Sequence, residues 1–339
     1  MFRLVATIVG QRLLAALPMM IVVSIVVFVV LRLLPADPIG MMLPPNATRA
    51  DIAALQAAFG LDKSVPEQYW IWLRDALHGD LGQSIQYRVP VTQLIGRALP
   101  ATIELSLAAL GLALLISIPG GLGLYALRGR RGELAADIGV VTLLSIPSFL
   151  WAIFLMLVFG VAFPVLPFTG RIGSNVVVPD VTGFLFVDTL VTGHWREIAS
   201  VASHILLPAV SLALGLIPII MRVLRSSLIE AATEDYVNVA RLRGVSESGI
   251  LVRHMLKNAA LPTVTLIGVQ SGFLLGGTLL VELIYSFPGI GNLMVQAVRN
   301  HDLPLLQGVA LVFCVAVLLA NTIVDALYVI LNPRLRRPA

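Results

Sequence analysis

Six apolar runs organise the chain, at 13–31, 99–127, 135–166, 205–221, 264–285 and 303–331. Each matches or approaches the roughly 20 apolar residues that carry a helix across the hydrocarbon core of a bilayer. In that solvent an unpaired backbone amide has no water to bind. A spanning segment is therefore a helix or a strand of a closed barrel. The runs are continuous rather than alternating, which argues against a barrel. Hydrophobic residues make up 58% of the 339 and charged residues only 12%. That is too much apolar surface for a water-soluble core of this size and too little charge for intrinsic disorder. The expectation is an all-α membrane protein with six transmembrane helices.

The scarce charges are sorted. Arg3 and Arg12 precede the first run, and Arg128, Arg130 and Arg131 lie between the second and third. Arg222, Arg225, Arg241, Arg243, Arg253 and Lys257 lie between the fourth and fifth, and Arg334, Arg336 and Arg337 follow the sixth. Arginine and lysine accumulate in cytoplasmic loops, so these segments and both termini are expected inside. The net charge of +4 thus reads as topology, with nothing favouring nucleic acid. The first run is longer than a signal-peptide core and no A-x-A site follows it, so it is expected to be a retained span. The stretch 176–190 is apolar but interrupted by Pro179, Asp180 and Asp188. An extra span there would reverse the later arginine clusters, which assigns it to an extracytoplasmic loop and leaves open whether it lies in the membrane interface. Cys314 is the one cysteine and is expected to pack. The histidines are scattered, so no metal site is expected.

The segment 35–97 has the pattern of folded structure. Thr48 before Asp51 resembles a capping box with Asp in place of Glu, opening a short helix through Ala57 and Ala58 that stops at Gly60. An amphipathic stretch at 66–77 carries Tyr69, Trp70 and Trp72, expected to pack in a small cap rather than float among headgroups. Proline and glycine are frequent inside the runs, at Pro119, Gly120, Gly121, Pro147, Pro208, Pro218, Gly272, Gly276 and Gly277. They fit close helix packing or kinked helices around a pathway, and composition leaves both open. Glu104, Glu282 and Asp325 lie in or near spans, where a charge normally faces the bundle or a wet cavity. Structural pairing is expected for Glu104 and Asp325. Glu282, with Phe287 and Pro288 after it, is a candidate pathway or gate residue.

The sharpest local pattern is 236–250, between the fourth and fifth runs. It reads as two short helical pieces broken at Gly244, the second capped by Ser246 with Glu247 in its first turn. The first carries Tyr236, Val239, Ala240 and Leu242 among polar residues. A short, partly apolar helix held between two spans suits docking into a groove of a partner, whereas the arginines alone would fit a basic interfacial loop. Ala240-x-x-x-Gly244 followed by Leu261-Pro262 resembles the EAA loop of binding-protein-dependent ABC importer permeases. Asn238-Val239 stand where that motif begins with Glu-Ala, and the spacer to Pro262 is longer than in sugar permeases. These departures resemble the peptide branch, as do Arg32-Leu33-Leu34-Pro35-x-Asp37-Pro38, Asp80-Leu81-Gly82-x-Ser84, Pro100-Ala101-Thr102-x-Glu104-Leu105, His204-Ile205-Leu206-Leu207-Pro208-Ala209, Val281-Glu282-x-Ile284-Tyr285-Ser286-Phe287-Pro288-Gly289-Ile290-Gly291 and Asn332-Pro333-Arg334.

The chain is thereby identified as resembling the permease subunit of a dipeptide or oligopeptide ABC importer. The resemblance implies a type I importer transmembrane domain in a bacterial inner membrane. It divides the chain into 1–97, a first helix with its extracytoplasmic segment; 98–331, the transporter domain with coupling loop 229–257; and 332–339, a cytoplasmic tail. It implies a second homologous permease, two cytoplasmic ATPase subunits and an extracytoplasmic substrate-binding protein as partners. It makes Tyr236, Ala240, Arg241, Gly244, Val245, Ser246, Glu247 and Ile250 the ATPase-coupling residues. The chain has no GxxxxGK[ST] phosphate loop, so it is not expected to be an enzyme, and ATP and Mg would be bound by the partner ATPases. Permeases for glutathione, nickel, opines and haem share the branch and remain alternatives. A stand-alone channel or secondary transporter would need an inverted repeat or a pore-lining charge series, and neither is found.

Overall fold

A computed structural model describes residues 2–33, 48 and 62–331. Asp51 of the capping box, the helix through Ala57 and Ala58, the helix stop at Gly60, Pro35 to Pro38 and the tail 332–339 lie outside the described residues, as does the side chain of Asp325. The described residues form helices and connecting loops. They are α1 (Phe2–Leu33), α2 (Val65–Leu77), α3 (Val91–Ala126), α4 (Glu133–Ser145), α5 (Ser148–Leu155), α6 (Leu185–Val191), α7 (Ile198–Ala231), α8 (Asp235–Leu242), α9 (Glu247–Ile250), α10 (Leu256–Ile284), α11 (Ile290–Arg299) and α12 (Leu303–Leu331).

Four stretches among the described residues are long and apolar enough to cross a membrane: Val91–Ala126, Trp195–Ala231, Glu247–Ile284 and Leu303–Val324. The run 135–166 departs from its expected continuous span. It is split into α4 and α5, with α5 continuing as a π-helical turn over Met156–Ala162, and the two halves meet at 94°. Pro147 is the reason. It has no N–H to donate and its ring pushes Ile146 into extended backbone, at φ −100° and ψ 116°. Elsewhere proline is absorbed: Pro100 and Pro119 sit inside α3, and Pro208 and Pro218 inside α7.

The core lies where α3, α5, α7 and α10 meet. Ala101, Ala109 and Ala113 of α3 are fully buried there, and small side chains let helix backbones approach without help from water. Tyr285, at the end of α10, is 1% exposed. A buried phenol needs a partner. Its hydroxyl donates to the Ala152 carbonyl at 3.0 Å and lies 3.1 Å from Ser211 Oγ, tying α5, α7 and α10 together. Several glycines serve close packing. A Cβ on Gly121 would lie 2.8 Å from Leu224 Cδ2, and one on Gly272 2.8 Å from Asn321 Oδ1, whereas Gly276 faces open space.

The aromatic stretch forms α2 and splits by residue. Tyr69 and Trp72 pack on Phe28 of α1, and the Tyr69 hydroxyl meets Ser24 Oγ at 2.8 Å. Trp70 is exposed. At the same end, fully buried Asp302 accepts from Ser84 Oγ at 2.5 Å and from the Gln86 amide at 3.1 Å, joining the loop before α3 to the start of α12.

Glu104 is paired, as expected. Arg171 Nη2 donates to it at 2.5 Å and also to the Gly183 carbonyl at 2.9 Å, while the Phe186 amide donates to Glu104 Oε1 at 2.6 Å. Both side chains are largely buried, at 14% and 11% exposure. Removing one partner strands the other's charge. Arg171→Ala is expected to cost about 3–5 kcal/mol of stability. Arg171→Lys, which cannot reproduce the fork of donors, should lie between. Thermal unfolding of the purified chain in detergent measures both.

Candidate functional site

The loop between α7 and α10 is built from its sequence outward. Helix α8 ends in a Schellman turn. Gly244 adopts φ +75°, its amide donates to the Arg241 carbonyl at 2.9 Å, and the Val245 amide donates to the Ala240 carbonyl at 3.2 Å. A residue with a Cβ is strained at that φ, which is why glycine stands there. Ser246 then caps α9, its hydroxyl accepting from the Gly249 amide at 3.3 Å. The break at Gly244 and the cap at Ser246 both lie where the sequence places them.

Two faces result. Val237, Ala240 and Ile250 are buried against Leu224, Leu228, Met255 and Ala259, with Leu122 and Tyr125 of α3 alongside. This cluster seats α8 and α9 on the ends of three long helices. Tyr236 and Val245 are half-buried at its margin, and no partner of the buried Tyr236 hydroxyl is found among the described residues. The other face carries Arg241, Leu242, Arg243, Gly244 and Glu247, all exposed. Leu242 is 88% exposed, an apolar side chain held out from a rigid turn. Arg241 and Glu247 close the turn across Gly244, with Nε 2.7 Å from Oε1. That hydrogen bond holds the Glu247 carboxyl below its ordinary range and raises the Arg241 guanidinium further. The latch is thus present above the usual carboxylate range and is lost as pH falls through the lowered value.

An exposed pair contributes little by itself, so its role is orientation. Reversing one charge, Arg241→Glu or Glu247→Arg, is expected to lower uptake by up to about fivefold. The double reversal should recover most of that loss in the same assay. Recovery would not follow if either charge met only the solvent.

Sequence reasoning missed the clamp beside this loop. Arg225 of α7 donates to Glu133 and Asp137 of α4, closing the gap between the spans on the same side as α8. Those partners lie 92 and 88 residues away, beyond any local spacing. A cavity of 850 Å³ between α4 and α7 opens beside it, lined by Val140, Leu144, Ile219 and Val223.

The second candidate set lies elsewhere. Glu282 is fully buried near the end of α10. It accepts from Thr102 Oγ1 at 2.7 Å and from the Asn292 amide at 3.1 Å, in the first turn of α11. Thr102 in turn accepts from the Ile290 amide at 2.8 Å. Phe287 is buried in the core, and Pro288 is exposed. Thr102 is the unforeseen member, since 180 residues separate it from Glu282.

Comparison with known proteins identifies the family of the chain. A family model described as the binding-protein-dependent transport system inner membrane component matches residues 113–337, and a model of the N-terminal part of such components matches 1–107. The chain is 35% identical over 332 residues to the dipeptide transport system permease protein DppB of Escherichia coli (strain K12), covering 96% of this chain and 97% of that one. It is 32% identical over 326 residues to the glutathione transport system permease protein GsiC of Salmonella choleraesuis (strain SC-B67), covering 96% and 97%. Its fold is similar to a chain of the MetNI methionine ABC transporter in an inward-facing conformation, with a TM-score of 0.54 at 16% identity over 71% of this chain and 97% of that chain. The chain belongs to the family of binding-protein-dependent transport system inner membrane components, the permeases of ABC importers.

Proposed function

We propose that this permease imports dipeptides or oligopeptides. In this reading it forms half of a translocation pathway with a second permease, receives substrate from an extracytoplasmic binding protein, and is driven by two cytoplasmic ATPases that hold ATP and Mg. Both termini are cytoplasmic and six helices cross the membrane. The loop 229–257 transmits the ATPase motion, and the single observation that carries this is the exposed face of α8 and α9. That face presents Leu242 in front of a seat shared by α3, α7 and α10, so force applied to it reaches three spans together. Glu282, Phe287 and Pro288 serve the outer part of the pathway, as a brace or as a gate. The full-length similarity to DppB supports peptides as substrates.

Similarity to GsiC favours glutathione as a second reading, itself a tripeptide-like solute. The test is uptake of labelled dipeptide and glutathione into cells carrying the complete importer, with and without a deletion of this chain. Loss of dipeptide uptake alone supports the first reading, and loss of glutathione uptake alone the second. Uptake by the purified chain without ATPases would overturn both in favour of a stand-alone transporter.

A further inference from the structure

Helix α6 is turned inside out compared with a helix on a water-facing surface. Its polar residues point inward: Asp188 is 1% exposed and Thr189 is fully buried. Asp188 accepts from the amides of Val181, Thr182 and Gly183 and from the Thr182 hydroxyl at 2.6 Å. Burial alone would raise its pKa, but these donors outweigh it and hold the carboxyl below its ordinary value. Its apolar residues point outward, with Phe186, Val187 and Val191 exposed, and Trp195 after them is 64% exposed. From Phe184 to Trp195 no charged side chain is exposed. A contiguous apolar face of this kind marks a lipid or protein contact.

Depth and continuity say what covers it. Ile198 and Arg222 both lie on α7. The 24 steps between them rise about 36 Å, and the turn through Trp195 brings the total to about 40 Å. That is the thickness of a bilayer with its headgroups, about 40–45 Å. With Arg222 in one headgroup layer, Trp195 reaches the other, and α6 packs beside α7. Trp195, Ala199, Ala202 and Leu206 are all exposed at helical spacing, forming one stripe from the turn down into the span. The exposed face of α6 is thus followed along the chain, through Trp195, by an exposed stripe on α7.

We propose that Phe186, Val187, Val191 and Trp195 lie in the phospholipid headgroup layer opposite Arg222, as an interfacial foot. Such a foot buries its apolar face at the boundary between headgroups and acyl chains. Arg171 ties it to the bundle by bonding both Glu104 and Gly183, so the contact sets the height of α3 and α7 in the bilayer.

The test uses the full chain assembled with its importer subunits in liposomes of phosphatidylethanolamine and phosphatidylglycerol. Cys314→Ser removes the native thiol, and Val187→Cys, Val191→Cys and, as an aqueous reference, Arg130→Cys each carry a nitroxide. Spin-label saturation compares access of oxygen, which concentrates in lipid, with that of a water-soluble nickel complex. Oxygen access exceeding nickel access at 187 and 191, with the reverse order at 130, is the expected result. Nickel access exceeding oxygen at 187 and 191 would overturn the proposal. Low access to both reagents there would overturn it too, and would assign the face to the second permease or the binding protein. Should one label position fail to insert at the normal level, the other carries the same comparison.

Discussion

Gly244→Trp is expected to abolish ATP-driven uptake while the chain still inserts in the membrane at its normal level. Gly244 is in the left-handed region, and its absent Cβ would meet nothing within 4 Å. The intramolecular cost of a Cβ is thus backbone strain alone, about 1–2 kcal/mol. That corresponds to roughly a 5- to 30-fold shift against the closed turn. Gly244→Ala carries this strain without bulk and should lose part of the uptake. Gly244→Asn, whose side chain tolerates the left-handed region, should lose less. Tryptophan adds a large ring on the face that carries Leu242, where the proposed ATPase would sit. The ordering Asn, Ala, Trp separates strain from obstruction. Level-normalised uptake, together with co-purification of the ATPase subunits, reads it. Equal uptake for the Trp and Ala variants would remove the docking role from this face.

Glu282→Ala is expected to destabilise the bundle by about 2–5 kcal/mol. Both carboxylate oxygens are in use, one on Thr102 and one on the Asn292 amide. Alanine leaves the Thr102 hydroxyl and a helix N-terminal amide buried without that acceptor, and opens a cavity below Gly289 and Gly291, which pack on the Glu282 side chain. Glu282→Gln keeps the volume and one acceptor, so it should retain most of the stability. A lowered unfolding temperature in detergent checks the alanine variant. The glutamine variant then distinguishes a brace from a gate. Normal uptake with Gln indicates a brace, whereas lost uptake at full stability indicates that the charge itself serves the pathway.

Comparing these two sites shows what can be read from one dimension. The turn at Gly244 is local, with its break, its Schellman bonds and its Ser246 cap contained within about a dozen residues of chain. Short-range backbone geometry follows residue type, so the pieces were legible. The Glu282 brace joins residues 180 apart, and the Arg225 clamp joins residues 88 and 92 apart. No spacing rule reaches across such distances, and a buried acid by itself fits a gate or a brace equally well. The run 135–166 shows a third case. Hydropathy sums over a window and is blind to direction, so a proline turn of 94° leaves no mark in it.

Hydropathy and charge sorting, which depend on transfer of side chains out of water and on the bias of arginine between loops, already determine an all-helical membrane protein and the expected sides of its loops. The ordered motifs already point to an importer permease. Only the tertiary structure decided which face of each helix is turned where. It seats Ala240 and Ile250 on the bundle while Leu242 stands clear, and it turns Asp188 inward while Val191 faces out. In a bilayer, unlike in water, apolar residues belong equally well inside the bundle or outside it. The choice is made by packing fit and by hydrogen bonds between distant segments, which exist only once the helices have met.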